Sequence, residues 1–239
     1  MILVGTSGFQ YLEWKGAFYP KTLSTPQMLP YYAGHFPTTE INYTFYRVPA
    51  TKTLNNWMTL TPDHFRFSFK APRAITHEHQ LVPDDAVVER FMNAIRTMGK
   101  KMGIVLFQLP PFLKKDLPRL KAFVETLPPG FKAAFEFREP SWFDDDVLAC
   151  LKSKNLALCI SESEKIASPI VFTAGYGYLR LRREDYTAKD IARWAKVVLG
   201  RDEKVEDVYV YFKHEESGGG PKLAKQFMAQ TEQAPAMHS

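Results

Sequence analysis

Four short runs place charge where a buried strand would ordinarily carry none. In "AAFEFR" (133–138) Glu136 and Arg138 alternate with Phe135 and Phe137, and in "FRFSFKA" (65–71) Arg66, Ser68 and Lys70 alternate with Phe65, Phe67 and Phe69. "TTEINY" (38–43) sets Glu40 and Asn42 against Ile41 and Tyr43, and "YGYLRLR" (176–182) sets Tyr178, Arg180 and Arg182 against Leu179 and Leu181. Carboxylates and cations gathered in this way suit two kinds of chemistry. Glu136, with Glu40 second, is the candidate general acid or base, a role that near neutral pH needs a carboxyl pKa raised by burial or by a neighbouring carboxylate. Arg138, Lys70, Arg180, Arg182 and Lys213 are candidate clamps for a phosphate or carboxylate, because a guanidinium fork matches two oxygens of such an anion. The same cations favour the ionised form of Glu136, so the two uses pull its pKa in opposite directions.

Something must bring these side chains to one place. Residues of a strand alternate between two faces, so each run splits into an apolar parity and a polar one. Eight strand-like runs follow one another: "ILVG", "TTEINY", "FRFSFKA", "GIVLFQL", "AAFEFR", "LALCIS", "YGYLRLR" and "DVYVYFK". Helix-length segments separate most of them, at 84–99, 116–127, 143–154 and 187–199. Val87, Val88, Phe91, Met92 and Ile95 recur at helical spacing, and Thr187 with Asp190 three residues on reads as a helix start. Strands alternating with helices build a parallel sheet, and eight of them close into an α/β barrel of the (β/α)8, or TIM, type. The apolar parity then meets the helices and the polar parity points inward, its C-terminal residues lining the mouth. The sixth βα unit is expected to be irregular, since "ESEKIASPIVFTAG" is too broken for a full helix.

Composition narrows the setting. The chain has 239 residues, 45% hydrophobic and 24% charged, which suits one domain with a sizeable core rather than disorder. A net charge of +5 from 31 basic and 26 acidic residues, with a pI near 9.0, leans towards anionic partners without any long charge run. No segment approaches the ~18 apolar residues of a membrane span, and the opening "MILV" stops at Gly5. A cytoplasmic protein without a membrane partner is expected, with Cys150 and Cys159 as reduced core thiols.

The runs "GTSGFQYLEWKGAFYP" (5–20), "EINYTFYRVP" (40–49), "FSFKAPRAITH" (67–77), "LFQLPP" (106–111) and "EFREPSW" (136–142) resemble the DUF72, or YecE-like, family of uncharacterised proteins. The resemblance covers nearly the whole chain and implies a single TIM-barrel domain over 1–239. It carries no established activity. Matching positions include Gly5, Ser7, Gly8, Tyr11, Trp14, Glu40, Asn42, Phe45, Tyr46, Lys70, Gln108, Pro110, Glu136, Arg138, Ser141, Trp142 and Arg180. The chain departs from the family pattern at "RLRR" (180–183) and "FKH" (212–214), and the acidic residue expected at the end of the sixth strand is displaced or missing, with Ser161 and Glu162 nearest. Its mouth is therefore more basic on the side of strands six to eight.

Other chemistries are less well specified. Gly218 to Gly220, in "HEESGGGPKLAKQF", stand where barrels often hold phosphate against a helix N-terminus, although the glycines equally suit a turn. "HEH" at 77–79 is too closely spaced for a chelating pair, which leaves His77, His214, Glu40 and Glu136 as a metal set only if the fold converges them. Ser7 lies between glycines but misses the G-x-S-x-G pattern, so it reads as a ligand-binding hydroxyl. Tyr11, Trp14, Tyr43, Phe45, Tyr46 and Trp142 offer rings for stacking on a base or sugar, against the ordinary fate of aromatics as core. The expected function is an enzyme acting on a phosphorylated or other anionic small molecule, a sugar phosphate or nucleotide. Glu136 and Glu40 are the catalytic candidates, and Ser7, Asn42, Tyr46, Lys70, Gln108, Arg138, Trp142, Arg180, Arg182 and Lys213 the binding set. A nucleotide- or nucleic-acid-binding module without turnover, and a metal-dependent phosphodiesterase on nucleic acid, are the alternatives. Cofactor and oligomeric state are not specified by the sequence.

Overall fold

The computed structural model describes residues 1–83, 85–214 and 218–232. Among them strands and helices alternate as β1 (Ile2–Ser7), α1 (Met28–Ala33), β2 (Thr38–Ile41), α2 (Thr51–Thr59), β3 (Arg66–Lys70), α3 (Asp85–Arg96), β4 (Met102–Gln108) and α4 (Leu117–Glu125). The second half continues with β5 (Ala133–Glu136), α5 (Asp145–Ser153), β6 (Ala157–Glu162), β7 (Tyr176–Leu181), α6 (Ala188–Leu199), β8 (Asp207–Phe212) and α7 (Gly219–Glu232). The strands pair in parallel in sequence order, and β8 returns to β1 from Ile2↔Val208 to Thr6↔Phe212, closing the barrel. The (β/α)8 architecture expected from the alternation is the fold.

The parity of the strands sorts into two packed layers. Phe67, Phe69, Phe107, Phe135 and Phe137 are buried in the larger cluster between sheet and helices, where Phe107 and Phe135 stack at 5.3 Å and Phe123 of α4 meets Phe107 edge-on at 5.1 Å. Each such ring contributes about 1.5–3 kcal/mol by leaving water. The opposite parity forms a separate inner cluster that includes Leu3, Ile104, Leu106, Tyr178 and Tyr211. Its hydroxyls are satisfied across the barrel: Tyr211 donates to Ser68 Oγ at 2.8 Å and pairs with Thr38 Oγ1 at 2.7 Å. A plugged barrel floor of this kind leaves only the strand ends open for chemistry.

Local signals explain where elements begin and stop. Thr187 and Asp190 form the reciprocal cap of α6, with Asp190 N–H donating to Thr187 Oγ1 at 3.2 Å and Thr187 N–H to Asp190 Oδ2 at 2.9 Å. Of the segment expected as a helix over 84–99, Asp85–Arg96 is helical, residue 84 lies outside the described residues, and Gly99 takes a positive φ of 52°. No helix spans the sixth crossover, as the broken sequence implied. Side chains hold that loop instead: Ser161 N–H donates to Ser168 Oγ at 2.9 Å, and Thr173 Oγ1 accepts from Leu158 N–H while donating to Leu156 O, both at 2.7 Å. Cys150 and Cys159 are buried and unbridged. Among the described residues no helix is long and apolar enough to cross a membrane.

Gly5 fixes how closely β1 and β2 approach. A Cβ at this position would fall 2.0 Å from the Thr38 carbonyl oxygen and 3.0 Å from the Tyr32 hydroxyl, which itself accepts from Thr6 N–H. Gly5→Ala is expected to destabilise the protein by about 3 kcal/mol or more, because backbone rather than a flexible side chain must yield. Urea unfolding of the variant against the wild type measures it, and a change within ~0.5 kcal/mol would contradict the close packing.

Candidate functional site

The ends of β2, β5 and β7 converge on one guanidinium. Arg180 reaches across the barrel from β7, its Nη2 donating to Glu40 Oε1 at 2.8 Å and its Nη1 to Glu136 Oε2 at 2.5 Å. Both carboxylates are fully buried and Arg180 is 2% exposed. Remaining lone pairs are filled from neighbouring strands. Tyr178 donates to Glu40 Oε2 at 2.7 Å, Gln108 Nε2 to Glu136 Oε2 at 2.9 Å, and Arg182 Nη2 to Glu136 Oε1 at 2.7 Å. Arg138 adds an ion pair from Nε to Glu136 Oε1 at 3.4 Å. Strand register explains the convergence, since Ser7 stands opposite Glu40, Gln108 opposite Glu136, and Ser161 opposite Arg180.

These contacts decide the charge of the carboxylates. Burial alone would raise Glu136, but Arg180, then Arg182 and Arg138, with the Gln108 hydrogen bond, hold it well below the usual carboxylate range. Glu40 likewise meets a burial cost that is outweighed by Arg180 and Tyr178, and is lowered. Ser7 lies close enough to add to that lowering, although its buried Oγ makes no hydrogen bond of good geometry. A general base working near neutral pH needs the opposite shift, so the expectation that Glu136 and Glu40 exchange protons there does not fit their surroundings. They are built as permanent counter-ions. Two carboxylates face three guanidiniums in this group, leaving an excess of positive charge even before Lys70 is counted.

Above the ion group opens a cavity of ≈ 700 Å³. Arg138 and Arg182 come up from its floor; Ser163, Glu164 and Lys165 enter from the helix-free sixth crossover; Glu184, Lys213, His214 and Gly219 complete the wall after β7 and β8. Arg138 is 32% exposed. Gly219 opens α7, so the positive end of that helix borders the cavity. The expected cradle of glycine amides is only partly realised. Gly220 N–H is spent on the His214 carbonyl at 3.2 Å, Gly218 turns at φ 71° against Ala17, and 215–217 lie outside the described residues.

Other candidates are placed elsewhere. Trp142 is 1% exposed, stacks on Phe137 at 4.7 Å and 5°, and donates to the Leu113 carbonyl, so it offers no free face to a ligand. Tyr46 sits 80% exposed on the loop after β2. Asn42 falls past the end of β2, which stops at Ile41, and borders a smaller cavity with Phe9, Tyr11 and Trp57; its buried Nδ2 has no hydrogen-bond partner among the described residues. Lys70, at the end of β3, places Nζ over the Phe45 ring at 3.9 Å. Glu162 turns outward, accepting from Arg193 at 2.7 Å and Trp194 at 2.8 Å, which leaves Ser161 on the barrel side. His214 donates from Nε2 to the Arg183 carbonyl at 2.6 Å, and His77 shares a hydrogen bond with Thr76 at 2.8 Å. Among the described residues no three His, Cys, Asp or Glu side chains gather as a metal set. Tyr178 and Lys165 were missed as site residues. The parity of β7 had signalled the first, whereas Lys165 belongs to a loop without periodicity.

Glu136→Gln removes the negative centre of four donors and is expected to cost about 3–5 kcal/mol at pH 7, the range for an uncompensated buried charge. Because the folded pKa of Glu136 is lowered, its contribution is fully present above the ordinary carboxyl value of 4.5 and is lost as pH falls through the folded value. The stability gap between variant and wild type should therefore narrow in acid; denaturant unfolding at pH 7 and below 4 measures it, and a constant gap would contradict the ion-pair origin.

Known proteins place this geometry in context. The chain is 35% identical to the UPF0759 protein YecE of Escherichia coli (strain K12) over 113 residues, 47% of this chain and 42% of that protein, so the match spans less than half of YecE. It is 23% identical to the UPF0759 protein YunF of Bacillus subtilis (strain 168), over 95% of this chain and 94% of that one. A crystal structure of a DUF72 family protein from Thermotoga maritima superposes with a TM-score of 0.84 at 25% identity, covering 98% of this chain and all of the other. A second, from Enterococcus faecalis, gives 0.82 at 19% identity over 98% and 97%, a likeness of fold. With residues 3–238 matching the family described as "Protein of unknown function DUF72", the chain belongs to the DUF72 family.

Proposed function

We propose that the protein is an enzyme that binds a phosphorylated or other anionic small molecule in the cavity at the C-terminal mouth of the barrel. The carrying observation is the ≈ 700 Å³ cavity whose floor presents Arg138 and Arg182 and whose wall presents Lys165, Lys213 and the start of α7. Glu40 and Glu136 neutralise only part of the cationic floor, and an anion would complete the balance. In this reading Arg138 is the anion clamp, because it pairs with Glu136 through Nε and, partly exposed, also lines the cavity. Glu136 acts by orienting Arg138, Arg180 and Arg182 rather than by moving a proton. A sugar phosphate or nucleotide fits a cavity of this size, within the ~300–1,000 Å³ usual for small-molecule sites.

A second reading has its own observation. Tyr46 and Phe112, 80% and 66% exposed, stand on the loops after β2 and β4 and offer faces for nucleic-acid bases.

Thermal unfolding at low salt against inorganic phosphate, sugar phosphates, nucleotides and short oligonucleotides separates the two. A phosphorylated small molecule at ~100 times its dissociation constant should add ~2.7 kcal/mol to wild-type stability, and Arg138→Ala should lose most of that gain. Stabilisation by oligonucleotides alone, falling steeply with salt, would favour the second reading; no shift with any phosphorylated compound would remove the first.

A further inference from the structure

A smaller cavity of ≈ 400 Å³ opens among the loops after β1 and β2, against α2. Its chemistry is unlike that of the larger one. Phe9, Tyr11, Asn42, Tyr43, Thr53 and Trp57 line it, and none of the described residues in its wall carries a formal charge, whereas Arg138, Lys165, Arg182 and Lys213 line the larger cavity.

The wall is held in place from three sides. Gly8 N–H donates to the Glu40 carbonyl at 2.8 Å, which ties the loop after β1 to β2, and the Tyr11 hydroxyl donates to the Ser7 carbonyl at 2.8 Å. Gly8, also in the wall, has a φ of 93°, and a Cβ there would fall 2.4 Å from the Tyr11 hydroxyl, so no side chain can occupy that place. Thr44 Oγ1 bonds to the Ile41 carbonyl at 3.0 Å and to the Lys70 carbonyl at 2.6 Å, fixing the turn that carries Asn42 and Tyr43. Thr53 and Trp57 stand four residues apart on one face of α2. Trp57 stacks on Phe67 at 5.8 Å and meets Phe9 edge-on at 6.4 Å.

One polar atom of this ordered wall is unsatisfied. Asn42 Nδ2 is buried and has no hydrogen-bond partner among the described residues. A buried donor without an acceptor is costly, and a bound group that accepts from it removes the cost. We propose that this cavity is a binding site for an uncharged aromatic ring that carries a hydrogen-bond acceptor, a carbonyl oxygen or a ring nitrogen, which takes the Asn42 Nδ2 donor. The ligand class follows from the wall. Its rings favour a flat apolar body; without a charged lining residue it has nothing to compensate a desolvated carboxylate or phosphate; and the Asn42 amide calls for an acceptor. Arg47 is held over the Tyr43 ring at 4.7 Å and is not part of the wall. The two cavities share no lining residue, so this inference goes beyond the proposed function and does not depend on it.

The test titrates benzamide, which has ring and acceptor, toluene, which has the ring alone, and acetamide, which has the acceptor alone, with binding followed by ligand-detected NMR. Benzamide is expected to bind the wild type with a Kd of about 0.1–10 mM, as suits a fragment of its size, and acetamide is expected not to compete. Thr53→Phe, which fills the cavity from a half-buried position on α2, should remove both benzamide and toluene binding. Asn42→Leu should weaken benzamide about 10-fold while leaving toluene within about 2-fold, because only benzamide loses a hydrogen bond. No benzamide binding to the wild type, or undiminished binding to Thr53→Phe, overturns the site; undiminished benzamide binding to Asn42→Leu, or acetamide binding as tightly as benzamide, overturns the ligand class. Should Asn42→Leu fail to fold, the side-chain amide resonance of Asn42 in the wild type decides the same point: it moves with benzamide and not with toluene if the inference holds, and stays still if it is wrong. Inorganic phosphate should not displace benzamide. Displacement would overturn the separation of this site from the anion cavity, and whether phosphate raises the unfolding midpoint tests the anion reading on its own.

Discussion

The Arg180 guanidinium, bonded at once to Glu40 and Glu136, is the constraint on which the mouth depends. It joins β7 to β2 and β5 across the barrel, over distances no backbone hydrogen bond spans. Removing three charges from water costs several kcal/mol for each ion after relaxation, and mutual attraction repays that only when nearly all donors and acceptors are used. Tyr178, Gln108 and Arg182 supply that completion for the carboxylates. The completion is not total on the cationic side: among the described residues the buried Nε atoms of Arg180 and Arg182 have no hydrogen-bond partner. An apolar plug would fill the same space at lower electrostatic cost, so this network is better understood as a device for orientation than as a source of stability.

That orientation is what turns the strand ends into a site. Arg138 and Arg182 both pair with the buried Glu136 and both line the cavity. The absence of a helix between β6 and β7 contributes in a different way. A helix there would carry the chain away from the mouth, whereas the loop, pinned by Ser168 and Thr173, passes Ser163, Glu164 and Lys165 along the cavity wall. The basic departures at 180–183 and 212–214 divide between these functions. Arg182 and Lys213 border the cavity, but Arg183 is spent on Asp185 and Asp190.

Much of this was legible from strand parity. A period of two assigns each side chain to one face, so Glu40, Lys70, Gln108, Glu136 and Arg180 could be placed inward from the sequence alone. Parity does not give partners. It placed carboxylates and cations in one interior without showing that Arg180 would hold both acids, and so left Glu136 as a proton-transfer candidate when its four donors make it a fixed anion. Signals failed more plainly beyond the strand ends, where no period applies. Trp142 follows β5 on a 3₁₀ turn that folds it back onto Phe137, and Asn42 passes into the turn at 43–45, so neither continues the inward row of its strand. Motif order was a sound guide to family and fold, because it follows the whole chain, but it carries no information on which of the matched residues meet a ligand.

The choice of lysine at position 70 has a thermodynamic cost that bears on its use. A lysine whose folded pKa is lowered destabilises the fold at every pH below that value, because the unfolded chain holds the proton more tightly. The penalty is present at neutral pH and disappears only as pH rises through the folded value towards 10.5. A lysine held on the Phe45 ring near Arg180 and Arg138 is therefore not what stability alone would select, and a methionine or leucine would fill the end of β3 at less expense. Strain of this electrostatic kind is tolerable because the phenylalanine layer outside the sheet and the closed barrel supply the stability independently.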